Sequence, residues 1–312
     1  MSSVVEGPSR AVGAAEMAAA QAVRSGPPGR SAQPRTRRRR PWPVSVALHA
    51  TLTLASIIAV GPLVWVLLSS FKPGVWVNSS DLSLVKEPTL ANYEYVLTQT
   101  NFPRWALNSV IVAAFTMVIG VFMAATAGYA LSRFRFPGRR HLMLTFLVTQ
   151  MFPGVILIVP VYIIMARLGL INTLAALIIA NLTIAIPFCA WMLKGYFDTI
   201  PTELDEAAQL DGCGYFATFW RVILPLARPG LAVTGFFTFL TAWGEVAYAS
   251  AFIQTDSKFT LAYGLQQFVP AFNPQWEYLT AAAVLITIPA GFVFFFAQRH
   301  LISGLSAGGT KG

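Results

Sequence analysis

Charge is scarce in this 312-residue chain: Asp, Glu, Lys and Arg make up only 11% of it, against about 25% in soluble globular proteins. With 55% hydrophobic residues, so few charges cannot cover a water-facing surface, and the composition is that of a membrane protein. Cysteine is nearly absent. Cys189 lies in an apolar run and Cys213 beside Gly212, which excludes a disulfide framework and gives no zinc spacing. The three histidines, His49, His141 and His300, flank or enter apolar runs without metal-ligand spacing, so the clustered site that a membrane enzyme needs is missing. No Gly-x-x-x-x-Gly-Lys-Ser/Thr loop occurs anywhere. The chain therefore lacks the usual cradle for ATP phosphates, and any hydrolysis it depends on belongs to another chain.

Long apolar runs are what the sequence has instead. A helix needs about 20 residues to cross a bilayer, and six stretches qualify: Val44 to Leu68, Ala106 to Leu131, Leu142 to Met165, Leu174 to Leu193, Leu231 to Phe252 and Leu279 to Ala297. The first is too long for the apolar region of a signal peptide, which is about 7 to 15 residues, and is read as a retained helix. Gly169 and Asn172 between the third and fourth runs predict a tight hairpin. Pro62, Pro153, Pro160, Pro187 and Pro289 stand inside runs and predict kinks, because a bundle can re-satisfy the carbonyls that proline frees. The expectation is an all-α polytopic fold with six crossings, a basic tail over 1–41 with no apolar face to bury, a six-helix membrane body over 42–300 and a short tail over 301–312.

The net charge of +9 is positional rather than a nucleic-acid signal. Eight of the 22 basic residues lie in the first 40 positions. If both termini are cytoplasmic, the inner side adds Arg133, Arg135, Arg139, Arg140, Lys194, Arg221, Arg228, Arg299 and Lys311, and the outer side holds only Lys72, Lys86, Arg104, Arg167 and Lys258. That asymmetry predicts the both-termini-inside topology.

With that orientation, residues 194–228 form a cytoplasmic loop between the fourth and fifth crossings. Thr202 is a candidate N-cap, and Glu203, Asp205 and Glu206 suit the first turn of a helix, where carboxylates meet the positive end of the dipole. Leu204, Ala207, Ala208 and Leu210 fall on or near one face, and Gly212 is placed to end the helix at positive φ. A second, aromatic helix follows with Tyr215, Phe216, Phe219 and Trp220, closed by Pro225. Five acids, Asp198, Glu203, Asp205, Glu206 and Asp211, flank it against Lys194, Arg221 and Arg228. This balance disfavours an anionic lipid surface and favours a protein partner.

Glu206-Ala207-Ala208, then Gly212, then Val222-Ile223-Leu224-Pro225 after nine spacers, resembles the EAA loop of ABC importer permeases. Further matches carry the resemblance from about Trp42 to Gly312. They include Ser132-Arg133-Phe134-Arg135-Phe136-Pro137-Gly138, Gln150-Met151-Phe152-Pro153-Gly154, Trp191 to Phe197, and Gln298-Arg299 with the terminal Ser303 to Gly312. The chain looks like a permease of the carbohydrate branch, of the maltose-type G subunit kind. The resemblance implies a type I importer fold in a bacterial plasma membrane and a homologous permease as companion. It also implies two ATPase subunits that carry the ATP and Mg, and an extracytoplasmic solute-binding protein; no cofactor sits on this chain. It assigns docking on the ATPase to Glu206, Ala207, Ala208, Gly212, Leu224 and Pro225, and a second contact at the ATPase interface to Gly308, Gly309 and Lys311. Many sugar permeases carry Trp-Asn-Glu where this chain has Trp243-Gly244-Glu245, so a role for that amide is absent here.

Glu245 is the only ionised side chain inside a run, a costly placement that normally faces a bundle interior or a wet cavity. Together with Asn181, Trp243 and Gln150 it is a candidate for the translocation path; Thr183 and Tyr129 are further polar groups in runs. Bonding between helices is the competing role for each. An ion-coupled carrier is the alternative transporter class, and it would call for more intramembrane carboxylates and for inverted repeats.

Overall fold

A computed structural model describes residues 42–74, 87–270, 272 and 274–308, with 300–308 described by backbone alone. The basic tail over 1–41, Gly309 and Lys311 lie outside the described residues. All regular structure among the described residues is helical. In chain order the helices are α1 (Trp42–Ser69), α2 (Ala91–Thr98), α3 (Phe102–Arg133), α4 (Arg139–Met151), α5 (Gly154–Arg167), α6 (Leu174–Phe197), α7 (Glu203–Leu210), α8 (Tyr215–Leu226), α9 (Arg228–Trp243), α10 (Ala247–Phe252), α11 (Leu261–Gly264) and α12 (Trp276–Gly308). Residues 1–58 and 59–312 form two units. The described part of the first is the leading stretch of α1, whose Leu52, Ile57 and Ile58 are exposed.

Among the described residues, four helices are long and apolar enough to cross a bilayer singly: α1, α3, α6 and α12 over Trp276–Arg299. Two bent pairs raise the number to as many as six. The expected third crossing is not one rod. It breaks at Phe152 and Pro153 into α4 and α5, whose axes differ by 107°. Pro153 has no N–H to give the helix, and its ring drives the preceding residue out of the α region; Phe152 sits at φ −77°, ψ 128°. The expected fifth crossing is likewise interrupted, ending at Trp243 and resuming at Ala247, while its start is bent by 80° from α8. Helices run through Pro62, Pro160, Pro187 and Pro289. The last helix continues to Gly308, past the expected boundary of the C-terminal tail at 301.

The centre of the bundle is α3 against α6, with α9 packed on both. Small residues allow the close approach, because side chains of ordinary size would hold the backbones apart. A Cβ on Gly128 would stand 3.0 Å from the Ala190 carbonyl oxygen and 3.0 Å from the Lys194 amide nitrogen. At the end of the bundle near Asn172, the predicted hairpin is present. Gly169 and Asn172 adopt φ of 68° and 62°, and Asn172 donates its amide to the Phe252 carbonyl at 2.8 Å while its side-chain oxygen accepts from Gln254 and Thr255.

Candidate functional site

At the opposite end, α7 and α8 fold into a polar elbow between α6 and α9. Thr202 occupies the N-cap position, yet its side chain makes no capping bond. Its backbone is already helical at φ −69°, ψ −23°, whereas a capping hydroxyl needs an extended backbone to reach forward to the third amide. The other terminus is as the glycine predicted. Gly212 has φ 85°, its amide bonds the Gln209 carbonyl at 3.0 Å, and the Cys213 amide bonds the Ala208 carbonyl at 2.9 Å. This 5→2 and 6→1 pair is the Schellman closure of a helix, which only a residue free of Cβ adopts without strain.

The eight-residue helix has two faces. Asp205 and Ala208, three apart and therefore neighbours, turn inward and are 7% and 5% exposed. Glu203, Glu206, Ala207 and Leu210 face out, with Leu210 89% exposed. Ala208, expected at the docking contact, thus seats the helix on its own bundle. Across the turn, Tyr215 and Phe216 also protrude, Phe216 at 72% exposure, while Phe219 is buried with its ring 4.9 Å from Tyr129. The expected aromatic face is therefore divided between core and surface. Phe219–Ile223 form a π-turn, a wide turn found often at functional sites; Leu224 donates to the Phe219 carbonyl, and Pro225 follows with no N–H. Leu224 and Pro225 are half-buried.

The inward face of α7 carries an ion pair that sequence reasoning did not single out. Asp205 accepts from the Tyr129 hydroxyl at 2.7 Å and from Arg133 Nε at 2.9 Å, and Arg133 also donates to the Ile200 carbonyl at 2.8 Å. The Arg133 and Asp205 side chains are 8% and 10% exposed. Removing one member of such a pair leaves an uncompensated buried charge and costs about 3–5 kcal/mol. One turn away Asp198 accepts from Ser132 at 2.7 Å and from Lys194. Partial burial pushes the Asp198 carboxyl upward, but those two hydrogen bonds and the Lys194 and Arg139 charges hold it below the ordinary aspartate value. Of the five loop acids, Asp205 is buried and Asp198, though exposed, is engaged by Ser132 and Lys194, leaving Glu203, Glu206 and Asp211 free to face outward. Arg133 beside the end of an apolar run was the available signal. Its partner lies 72 residues away, beyond the reach of local pattern.

The four candidates for a path are each engaged within the bundle. Glu245 lies in the break between α9 and α10, and its carboxylate accepts from the amides of Tyr248 and Ala249, the latter at 3.0 Å, so it caps α10. Asn181 is buried and donates to the Leu177 carbonyl of its own helix at 2.9 Å. Trp243 is buried against Phe239 and donates to the Ile286 carbonyl at 3.3 Å. Gln150 reaches the Ile184 carbonyl at 3.3 Å from an exposed position. Gly308 is the last described residue of α12, and Gly309 and Lys311 lie outside the described residues.

Residues 116–307 match the model of the family described as binding-protein-dependent transport system inner membrane component. The chain is 37% identical over 258 residues to the maltodextrin transport system permease protein MalD of Streptococcus pneumoniae, covering 82% of this chain and 92% of that protein. It is 34% identical over 272 residues to the maltodextrin transport system permease protein MdxG of Bacillus subtilis, covering 86% and 96%. Among solved structures, a chain of a bacterial ABC transporter involved in the import of the acidic polysaccharide alginate superposes with a TM-score of 0.72 at 22% identity, over 82% of this chain and 95% of that one, a likeness of fold. The chain belongs to the family of inner membrane permease components of binding-protein-dependent ABC transport systems, a family of transport subunits rather than enzymes.

Proposed function

We propose that this chain forms one half of the membrane pathway of an ATP-driven importer for an oligosaccharide of the maltodextrin type, with six crossings and both termini in the cytoplasm. The asymmetry of Lys and Arg between the two sets of loops supports that orientation. The companion half is a homologous permease, two ATPase subunits carry ATP and Mg, and an extracytoplasmic binding protein delivers the sugar. The two maltodextrin permeases named above support the substrate class.

The observation that carries the reading is the elbow. It exposes Leu210 and Phe216 at the tip of a polar, acid-bearing segment outside the long apolar helices, while its inner face is tied down by buried hydrogen bonds. Large apolar side chains ringed by charge are the ordinary signature of a protein contact. The small Ala207 and the Cβ-free Gly212 beside them leave room for a partner surface to close in. Glu206, Ala207, Leu210, Gly212 and Phe216 make the contact with the ATPase, and Ala208, Leu224 and Pro225 shape the segment that presents them. Closure of the ATPase pair on ATP then moves the elbow, and the broken helices α4–α5 and α9–α10 supply joints at which the pathway reorients around the sugar. The terminal segment with Gly308, Gly309 and Lys311 makes a second ATPase contact.

Glu206→Lys and Leu210→Asp in the purified complex test this. Both variants insert in the membrane at parental levels, lose retention of the ATPase subunits and lose ATP-dependent sugar uptake. Parental retention and uptake in both variants would show that the elbow is not the docking element.

A further inference from the structure

The elbow is joined through the chain to α6 and α9, but neither joint is a straight helix: a turn over 198–202 lies on one side, and the π-turn with the 80° bend at Ala227 on the other. Lys194 of α6 holds Asp198, and the elbow's remaining long-range side-chain hydrogen bonds among the described residues go to the last turn of α3. Tyr129 and Arg133 hold Asp205, Arg133 holds the Ile200 carbonyl, and Ser132 holds Asp198. The first turns of α3, at the other end of the bundle, make a matching set of bonds to the segment that follows α10. Trp105 Nε1 donates to the Asp256 carbonyl at 2.9 Å, the Asn108 amide donates to the Ser257 and Phe259 carbonyls, and the Leu261 amide donates to Ser109 Oγ at 2.7 Å. Gly264 lets the same segment lie flush on the Trp105 ring, where any Cβ would stand 2.3 Å from it.

α3, which carries both sets of bonds, runs 32 residues without a break, its one proline, Pro103, sitting in the first turn. At 1.5 Å per residue this is a rod of about 48 Å. The other helices of crossing length are less stiff, since α1, α6 and α12 each have a proline inside and the remaining crossings are bent pairs. Helix stiffness comes from an unbroken ladder of backbone bonds, and proline removes a rung.

We propose that α3 is the transmission rod of this permease. It carries movement of the elbow, gripped at Asp205, to the 256–261 segment at the far end, gripped by Asn108 and Ser109, and Asp205 is a positioning residue for coupling rather than for docking. This rests on the importer reading above. In the reverse direction, an event at the 256–261 segment reaches the ATPase contact through the same helix.

The test is a double-mutant cycle on the full complex in lipid nanodiscs, read as the stimulation of ATPase activity by sugar-loaded binding protein over the basal rate. Tyr129→Phe loosens the elbow grip and keeps the Arg133–Asp205 pair; Ser109→Ala loosens the far grip. Each single variant assembles and keeps its basal rate, and each lowers the stimulation roughly fivefold or more, the scale of ordinary coupling between sites. The two positions are about 30 Å apart along the helix, a separation at which independent effects multiply. If one rod carries both, the double variant loses no more than the worse single variant. Multiplicative losses, or parental stimulation in either single variant, would overturn the proposal. Asp205→Asn, if it assembles, reduces stimulation more than Tyr129→Phe does while retaining the ATPase subunits; loss of those subunits instead would make Asp205 a docking residue and also refute it. A parent complex that binds its ATPases but shows no ATP-driven uptake would remove the importer reading itself, a result distinct from all of these.

Discussion

Gly128 and Gly195 lie on facing central helices, and replacing each with alanine should shift stability in opposite directions. In the helix interior the substitution removes backbone freedom from the unfolded chain and gains about 0.5–1 kcal/mol. At Gly195 nothing lies within 4 Å of the new methyl group, so that gain stands alone. At Gly128 the methyl group would meet the Ala190 oxygen and Lys194 nitrogen at 3.0 Å and the Leu193 Cβ at 3.2 Å. Two of these three are backbone atoms of α6, which cannot rotate away as a side-chain tip would. The helices must separate by a few tenths of an ångström, and overpacking of this kind costs about 1–3 kcal/mol. With backbone on the receiving side the cost sits toward the upper end and outweighs the propensity gain, leaving Gly128→Ala about 1–2 kcal/mol less stable than the parent.

The protein contains its own reporter for this measurement. Cys189 is fully buried in the packing of α3, α6 and α9, so its thiol reacts with a fluorogenic maleimide only after unfolding. Cys213→Ser removes the background from the half-buried second thiol. In detergent, the thermal midpoint of the Cys213→Ser parent should fall on adding Gly128→Ala and rise on adding Gly195→Ala. A Gly128→Ala midpoint at or above that of the parent would refute the close approach of α3 to α6.

Thr202→Ala should change stability by less than about 0.5 kcal/mol, since the hydroxyl caps nothing, and the same thermal assay checks it. Gly212→Ala forces a Cβ into the left-handed region at a cost of about 1–2 kcal/mol; the expected result is fraying of Gln209 to Cys213 by hydrogen exchange and weaker ATPase retention. Glu245→Ala removes the cap of α10 and should cost about 1 kcal/mol while leaving the KM for sugar uptake unchanged; a raised KM at unchanged stability would instead place the carboxylate on the path. Because the folded Asp198 carboxyl is held below its ordinary value, its contribution is present above the unfolded pKa of about 3.9 and is lost as pH falls through the lower folded value. Amide exchange around 198–201 should therefore be flat from pH 7 to about 5 after correction for intrinsic rates, and rise only below about 4.

What was legible in the sequence is what depends on near neighbours. Gly212 ends α7 as read, because a helix stop is decided within four residues. The apolar runs mark the helices, because transfer into lipid is summed residue by residue. The breaks were only partly legible: Pro153 was read as a kink and is a 107° break, while Gly244 to Val246, with no proline, gave no local sign of interrupting the fifth run. The role of Asp205 was not legible at all. In the sequence it is one of three acids in the first turn of a helix, and only the fold brings it to Tyr129 and Arg133, 76 and 72 residues upstream. The same long-range packing buries Ala208 and Phe219, whose neighbours in the sequence do not distinguish them from the exposed Ala207 and Phe216.

The elbow also shows why an ion pair is used where apolar packing would hold more simply. An eight-residue helix is too short to persist by itself, since isolated helices under about 12 residues are marginal in water. It must borrow stability from the bundle, and it has one narrow face with which to do so. An apolar anchor would slide: a leucine in a greasy seat loses little over small displacements, because dispersion is non-directional and spread over many contacts. A carboxylate held by a hydroxyl and a guanidinium, both nearly removed from water, is fixed in direction as well as distance. A lever is useful only if displacement at its tip reappears at its root. The Tyr129, Arg133 and Asp205 triad gives α7 that stiffness, at the cost of a buried charge that makes removal of either charged partner expensive.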